Sequence, residues 1–155
     1  MIAALTRRAP RRRARPTAAS PRPIDVSDAK KPIRTDRAPT PVGPYSQGVA
    51  SGPFLLVSGQ VGMDPATGEA AGPDIATQTR QALRNLFEVA QAGGAAPEDA
   101  LRLGVFLSDM TAFSGFNEVY AELVPEPRPA RVTVGADLGG WLVEIDGMFM
   151  LPLER

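Results

Sequence analysis

Residues 129–134 read Pro-Ala-Arg-Val-Thr-Val, and residues 141–150 read Trp-Leu-Val-Glu-Ile-Asp-Gly-Met-Phe-Met. Both runs are rich in β-branched and aromatic residues with Pro or Gly at their boundaries, a pattern that predicts two strands. Side chains two residues apart in a strand share a face. Arg131 and Thr133 are therefore predicted to point the same way, and Glu144 and Asp146 to share a face of the second strand.

The segment 137–140, Asp-Leu-Gly-Gly, lies between the two runs and suits a hairpin loop. In that register Thr133 would lie opposite Glu144. Arg131 would lie opposite Asp146, so a guanidinium, two carboxylates and a hydroxyl would share one patch of sheet. This patch is the first candidate for chemistry. The alternative is a solvated contact between opposite charges, which contributes a few tenths to about 1 kcal/mol.

Length and charge divide the chain into two parts. A chain of 155 residues is long enough for one domain. Residues 1–37 hold eleven Lys or Arg and three Asp, a net charge of +8. Residues 38–155 hold six Arg and fourteen acids, a net charge of −8. The sequence therefore predicts a basic extension, residues 1–37, joined to an acidic domain, residues 38–155.

The extension is rich in Arg, Pro and Ala, and its prolines at 10, 16, 21, 23 and 32 interrupt any long helix. We expect it to be disordered, because it has little apolar surface to bury. A transit peptide is one alternative, since the first 24 residues hold seven Arg and no acid. Electrostatic contact with nucleic acid or an anionic membrane is another. No apolar run is long enough for a secretory signal or a membrane span, so we expect a cytoplasmic protein.

The chain contains no His and no Cys. This composition excludes a His general base, a Cys nucleophile, a disulfide framework and a zinc site with His or Cys ligands. It also excludes the zinc deaminases, whose metal needs such ligands. Any chemistry must use Arg, carboxylates, hydroxyls, backbone groups or water.

The rest of the domain alternates strands and helices in the order β-β-α-β-α-β-β. Residues 54–61 form an almost continuous apolar run, as expected for a strand buried on both faces. Asp74 is a good N-cap for a helix that continues to about Ala92 and ends at Gly93-Gly94. Residues 101–107 predict a further strand, and residues 112–123 a second helix with an aromatic stripe. This order predicts a single α+β domain, a mixed sheet with both helices packed on one face.

Five motifs in order resemble the reactive-intermediate deaminase family (Rid, also written YjgF). They cover about residues 38–155. They are Gly-Pro-Tyr-Ser-Gln-Gly at 43–48, Val-Ser-Gly-Gln at 57–60, Asn-Glu-Val-Tyr at 117–120, Pro-Ala-Arg at 129–131 and Val-Glu-Ile-Asp at 143–146.

The resemblance implies a chorismate-mutase-like fold assembled as a homotrimer with pockets at the subunit interfaces. It implies hydrolysis of 2-iminoacids and their enamine tautomers to 2-ketoacids and ammonia, with no cofactor and no metal. Arg131 would hold the substrate carboxylate, since a guanidinium can donate two parallel hydrogen bonds. Glu144 would position or activate the attacking water. The remaining pocket residues implied by the resemblance are Tyr45, Ser58, Gly59, Asn117 and Thr133.

Two departures from the family pattern affect the predicted pocket. Thr133 stands where archetypal members have Cys, which makes the pocket more polar there. Residues 123–129 form a shorter stretch than in the archetype, so one wall of the pocket differs. Two other functions therefore stay open. One is non-catalytic binding of small carboxylates, and the other is the RNA cleavage ascribed to some relatives, which the net charge of the domain disfavours.

Overall fold

The computed structural model describes residues 29–152, which form one mixed sheet of six strands and two α-helices. The α+β class predicted from the sequence is confirmed. Among residues 29–152 no helix is both long enough and apolar enough to cross a bilayer. The strands are β1 (Lys31–Ile33), β2 (Gly48–Ser51), β3 (Phe54–Val61), β4 (Ala100–Leu107), β5 (Ala130–Gly135) and β6 (Val143–Met150), and the helices are α1 (Ile75–Ala92) and α2 (Phe113–Leu123).

The strands lie in the order β1-β2-β3-β6-β4-β5, so β4 separates β5 from β6. The predicted hairpin between β5 and β6 is therefore wrong. β5 pairs in parallel with β4, because α2 forms a crossover between these two strands. The segment after β5 then passes the end of β4, where the Ala136 N–H donates to the Leu107 carbonyl at 3.0 Å. β6 enters the sheet between β3 and β4, antiparallel to both.

One face of the sheet is covered by the helices and contains the core. Val143, Ile145 and Phe149 alternate along β6 with more exposed residues, and each of the three is fully buried. Leu103 and Val105 of β4 lie on the same face and are equally buried. The alternation predicted for residues 141–150 is therefore confirmed, and Glu144 and Asp146 share the opposite face.

That opposite face carries apolar side chains that no element of residues 29–152 covers. We call it the open face. The strand prediction for residues 54–61 is correct, but burial on both faces is wrong, because Phe54 and Leu56 are 40% and 52% exposed. Val132 and Val134 of β5 are each 42% exposed, and Met150 is 37% exposed. A group of exposed apolar side chains on one face is typical of an interaction surface.

Both helices follow their predicted bounds. Asp74 caps α1, and its carboxylate accepts a hydrogen bond from the Thr77 N–H at 2.9 Å. Gly93 follows the last turn, as expected. Fully buried Asn85, on α1, donates to the carbonyls of Val61 and Met63 at 3.0 and 2.8 Å. This side chain fixes the segment that leaves β3 against the helix.

The folded domain begins earlier than residue 38. β1 pairs with β2, so residues 31–33, which the sequence assigned to the extension, belong to the sheet. The buried side-chain amide of Gln47 also holds the segment that follows β1. It accepts from the Thr35 N–H at 2.8 Å and donates to the carbonyls of Thr35, Ala38 and Pro39. The predictions for residues 1–28 lie outside the described residues.

Replacing Asn85 with Leu tests the polar anchor of α1. The variant Asn85→Leu would remove the side-chain donor from the partly buried carbonyls of Val61 and Met63. We expect the free energy of unfolding to fall by about 2–4 kcal/mol, measured by urea denaturation. Arg84→Ala, an exposed substitution on the same helix, should change it by less than about 0.5 kcal/mol. Equal losses in the two variants would contradict the assignment.

Candidate active site

Arg131 lies on the edge strand β5 and points to the helix-covered side of the sheet, where it packs against α2. Its guanidinium carbon lies 4.5 Å from the centre of the Tyr120 ring and 5.5 Å from that of Phe116. One guanidinium nitrogen donates to the Asn117 side-chain oxygen at 2.9 Å. These contacts hold the charged group in one orientation by a cation–π interaction and a hydrogen bond.

The charge of Arg131 has no carboxylate partner within residues 29–152. Arg80, Arg102 and Arg128, in contrast, each lie within 4.0 Å of an acidic side chain. A fixed guanidinium without an ion-pair partner is suited to bind an anion from solution.

Two hydroxyls near Arg131 are buried and make no hydrogen bond within the described part of the chain. They belong to Thr133, two residues further along β5, and to Tyr120. Burial raises the pKa of the Tyr120 phenol, although the charges of Arg131 and Arg128 act in the opposite direction. A cavity of about 310 Å³ adjoins Tyr120 and Arg131 and is lined by Asn117, Tyr120, Ala121, Arg128, Pro129 and Arg131.

Glu144 lies on β6 and points to the open face. Burial raises the pKa of its carboxyl group, and the nearby charge of Asp146 raises it further. A carboxylate with a raised pKa is a stronger base near neutral pH. Asp146 itself accepts from the Gly104 N–H at 3.0 Å and lies 3.7 Å from Arg102. Arg102, not Arg131, is therefore the cation beside Asp146.

A bulge in β3 makes room for the Glu144 carboxylate. The register of β3 against β6 shifts between Val57 and Gln60, so Ser58 and Gly59 lie in the bulge. A Cβ atom at Gly59 would overlap Oε1 of Glu144 and lie 2.8 Å from its Cδ. The Ser58 hydroxyl donates to the carbonyl of Ser46 at 2.8 Å, which ties the bulge to the preceding loop. Gly59 thus lies in the bulge and also allows the close approach of the Glu144 carboxylate.

Tyr45 lies on the loop before β2 and is half exposed. Gln47 anchors this loop through the hydrogen bonds described above, so the ring of Tyr45 has a firm support. Tyr45, Gly59 and Glu144 line one cavity of about 250 Å³ together with Trp141. Tyr45, a backbone segment at Gly59 and the Glu144 side chain therefore meet at one cleft.

The predicted site residues thus form two groups. We call Asn117, Arg131 and Thr133 the arginine group, and Tyr45, Ser58, Gly59 and Glu144 the carboxylate group. Within one chain the two groups lie on opposite faces of the sheet, because Arg131 shares a face with Leu103 while Glu144 shares a face with Phe106.

The prediction of one patch that holds Arg131, Thr133, Glu144 and Asp146 is therefore wrong. The faces predicted for the side chains of each strand were correct, but the prediction assumed that β5 and β6 are neighbours in the sheet. Sequence reasoning also missed Trp141 as a pocket residue and gave Gln47 no role. Trp141 could have been suggested by its position in the chain, three residues before Glu144. Among residues 29–152 no three acidic side chains cluster as they would around a metal ion.

Comparisons with known proteins agree on one family. A family model described as Endoribonuclease L-PSP matches residues 35–150. A RutC family protein of Pyrococcus horikoshii is 47% identical over 105 residues, 68% of this chain and 83% of that protein. The 2-iminobutanoate/2-iminopropanoate deaminase of Dermatophagoides farinae is 39% identical over 106 residues, 68% of this chain and 83% of that protein. The crystal structure of RidA from the Antarctic bacterium Psychrobacter superposes with a TM-score of 0.74 at 36% identity, and covers 78% of this chain and 99% of that one.

The substitution Gly59→Ala tests how the bulge positions Glu144. We expect the added methyl group to displace the carboxylate and to lower the free energy of unfolding by about 1–3 kcal/mol, because the site has no space for it. In a Glu144→Ala background the same substitution should cost less than half as much. A double-mutant cycle measured by urea denaturation gives both values. If the cost is the same in both backgrounds, Gly59 does not serve Glu144.

Proposed function

The chain belongs to the Endoribonuclease L-PSP family, which includes the YjgF, RutC and Rid proteins, and we propose that it hydrolyses 2-iminoacids and their enamine tautomers to 2-ketoacids and ammonia. The family membership confirms the resemblance seen in the five motifs. The observation that carries the proposal is Arg131, a guanidinium held rigidly by Asn117 and Tyr120 with no acid of residues 29–152 to neutralise it.

Arg131 would bind the carboxylate that every 2-iminoacid carries next to its C=N bond. The planar guanidinium can donate two parallel hydrogen bonds to the two carboxylate oxygens. Because Asn117 and the aromatic rings already fix its orientation, little rotamer entropy is lost on binding. Asn117 is a positioning residue in this scheme. The buried Thr133 hydroxyl, which lacks a partner in the described chain, would donate to the same substrate.

Glu144 would act as the general base. As water adds to the imine carbon, its proton passes to the Glu144 carboxylate, and the C=N electron pair moves to nitrogen, which takes a proton from solvent water. The Glu144 carboxyl group then gives its proton to the nitrogen of the resulting amino alcohol. The C–N bond breaks as the hydroxyl group loses its proton to solvent, so ammonia leaves, the carbonyl forms and Glu144 is ionised again. Atoms balance without a cofactor, because the substrate carbon is already electrophilic. A positioned base of this kind contributes about a hundred- to ten-thousand-fold in rate.

The carboxylate group supplies the other contacts. Tyr45 lies on the same cavity as Glu144, and its phenol can donate to the substrate nitrogen or to the adding water. The bulge at Ser58 and Gly59 exposes backbone near the reacting atoms. Holding water, base and carboxylate together adds a proximity contribution to the rate.

A complete site requires two chains, since the arginine group and the carboxylate group face opposite sides of one sheet. We propose a chorismate-mutase-like homotrimer in which the open faces of three sheets pack together. The apolar side chains of Phe54, Leu56 and Val132 support this assembly, because packing would remove them from water. Arg131 belongs to an edge strand, so it lies at the border of its subunit. There it would meet Glu144 of the partner subunit.

RNA cleavage, which the family description names, finds less support in this chain. Residues 38–155 carry a net charge of −8, and proteins that bind polyphosphates rely on neutralising phosphates with Lys and Arg. Non-catalytic binding of small carboxylates would need Arg131 but not Glu144. Replacing Glu144 would therefore abolish the function of a deaminase but not that of a binding protein, whereas replacing Arg131 would impair both.

A coupled assay in which 2-aminoacrylate is generated enzymatically tests the proposal. The wild-type protein should speed ketoacid release, and Arg131→Ala should lower kcat/KM about ten- to hundred-fold through lost carboxylate binding. Glu144→Gln should lower kcat by about a hundredfold or more. The exposed variant Arg84→Ala should stay within about twofold of wild type.

The pH profile identifies the base in the same assay. Glu144 acts in its ionised form, which predominates above its pKa, so kcat/KM should fall as the pH drops through that raised pKa. In Glu144→Gln this fall of kcat/KM at low pH should disappear. No turnover by the wild-type protein, or the same fall of kcat/KM in Glu144→Gln, would contradict the proposal.

A further inference from the structure

The cavity beside Glu144 is lined by more side chains than the proposed chemistry uses. Among them are the large apolar side chains of Val42, Met63 and Trp141, which we call the apolar wall. Val42 is 91% exposed, and Trp141 is only partly buried. Large apolar side chains that face a cleft next to a candidate catalytic carboxylate point to a ligand with an apolar group of its own.

Trp141 is held in place by its neighbours along the chain. It closes a turn in which its N–H donates to the Leu138 carbonyl at 3.3 Å, with Gly139 and Gly140 at positive φ inside the turn. The next residue, Leu142, is fixed on both sides. Its N–H donates to the buried Gln78 side chain at 3.0 Å, and its carbonyl accepts from the Ser108 N–H at 3.1 Å. The indole is therefore presented by a rigid segment.

A small iminoacid would leave this wall exposed to water. The three-carbon compound ends in a single methyl or methylene group, which covers little of the indole and of Met63. A longer aliphatic or aromatic side chain could lie along Trp141 while the imine carbon faces Glu144 of the same chain and the carboxylate binds Arg131 of the partner subunit. Each additional CH₂ group buried there is worth about fourfold in affinity.

We propose that the enzyme acts on 2-iminoacids with bulky apolar side chains and that Trp141 determines this specificity. The inference rests on the proposed function, because it names the substrate class of the same site. The cavity of about 250 Å³ is continuous with Glu144, so the side-chain wall and the reacting atoms belong to one space.

Turnover of iminoacids made in place by an L-amino acid oxidase tests the specificity. kcat/KM should be at least about tenfold higher for the leucine-derived than for the alanine-derived iminoacid. Trp141→Ala should reduce this ratio at least about fivefold, and Trp141→Phe should restore most of it, because a ring keeps the apolar wall. An equal or reversed ratio in the wild type, or an unchanged ratio in Trp141→Ala, would overturn the proposal.

Binding of the ketoacid products separates this inference from the proposed function. Trp141 is the only tryptophan of the chain, so its emission reports occupancy of this wall directly. 4-Methyl-2-oxopentanoate should shift the emission and bind at least about tenfold more tightly than pyruvate, as measured by fluorescence and calorimetry. Selective binding without turnover of any imine would refute the proposed deaminase activity but support recognition of an apolar side chain at Trp141. Equal binding of the two ketoacids, or binding of neither, would refute that recognition.

Discussion

The guanidinium of Arg131 lies over the ring of Tyr120, donates to Asn117 and has no acidic partner among residues 29–152. Keeping a cation in place with a dipole and aromatic rings, instead of with a carboxylate, leaves its charge available to a ligand. The neighbouring structure serves this arrangement. α2 supplies the rings, β5 supplies the arginine, and the parallel pairing of β5 with β4 decides which side of the sheet the arginine faces.

The same pairing separates Arg131 from Glu144. Burial raises the pKa of Glu144, whose carboxylate occupies the space that Gly59 leaves without a side chain, on the face that no helix covers. Each group is well built and neither is complete. Two half-sites on opposite faces, together with an open apolar face, fit an assembly in which one subunit supplies the cation and the next supplies the base. The need for a second subunit thus follows from the sheet order together with the proposed chemistry.

Local features could be predicted from the sequence because they depend on local physics. Asp74 and Gly93 bound α1 through capping, and the alternation at Val143, Glu144 and Ile145 gives the faces of β6. The neighbour of β5 could not be predicted, since a strand's period shows its faces but not its partner. The short β1 and the role of Gln47 were missed for a similar reason. Both depend on contacts with residues eight or more positions away.

Mixing two inactive variants tests the shared site most directly. Arg131→Ala and Glu144→Gln proteins, each purified alone, would be unfolded together, refolded together and assayed for imine hydrolysis. If one subunit supplies Arg131 and its neighbour Glu144, random mixing regenerates intact pairs, and activity should return to about a quarter of the wild-type value. Activity that stays at the level of the separate variants would show that both residues act within one chain, or that they do not form a site.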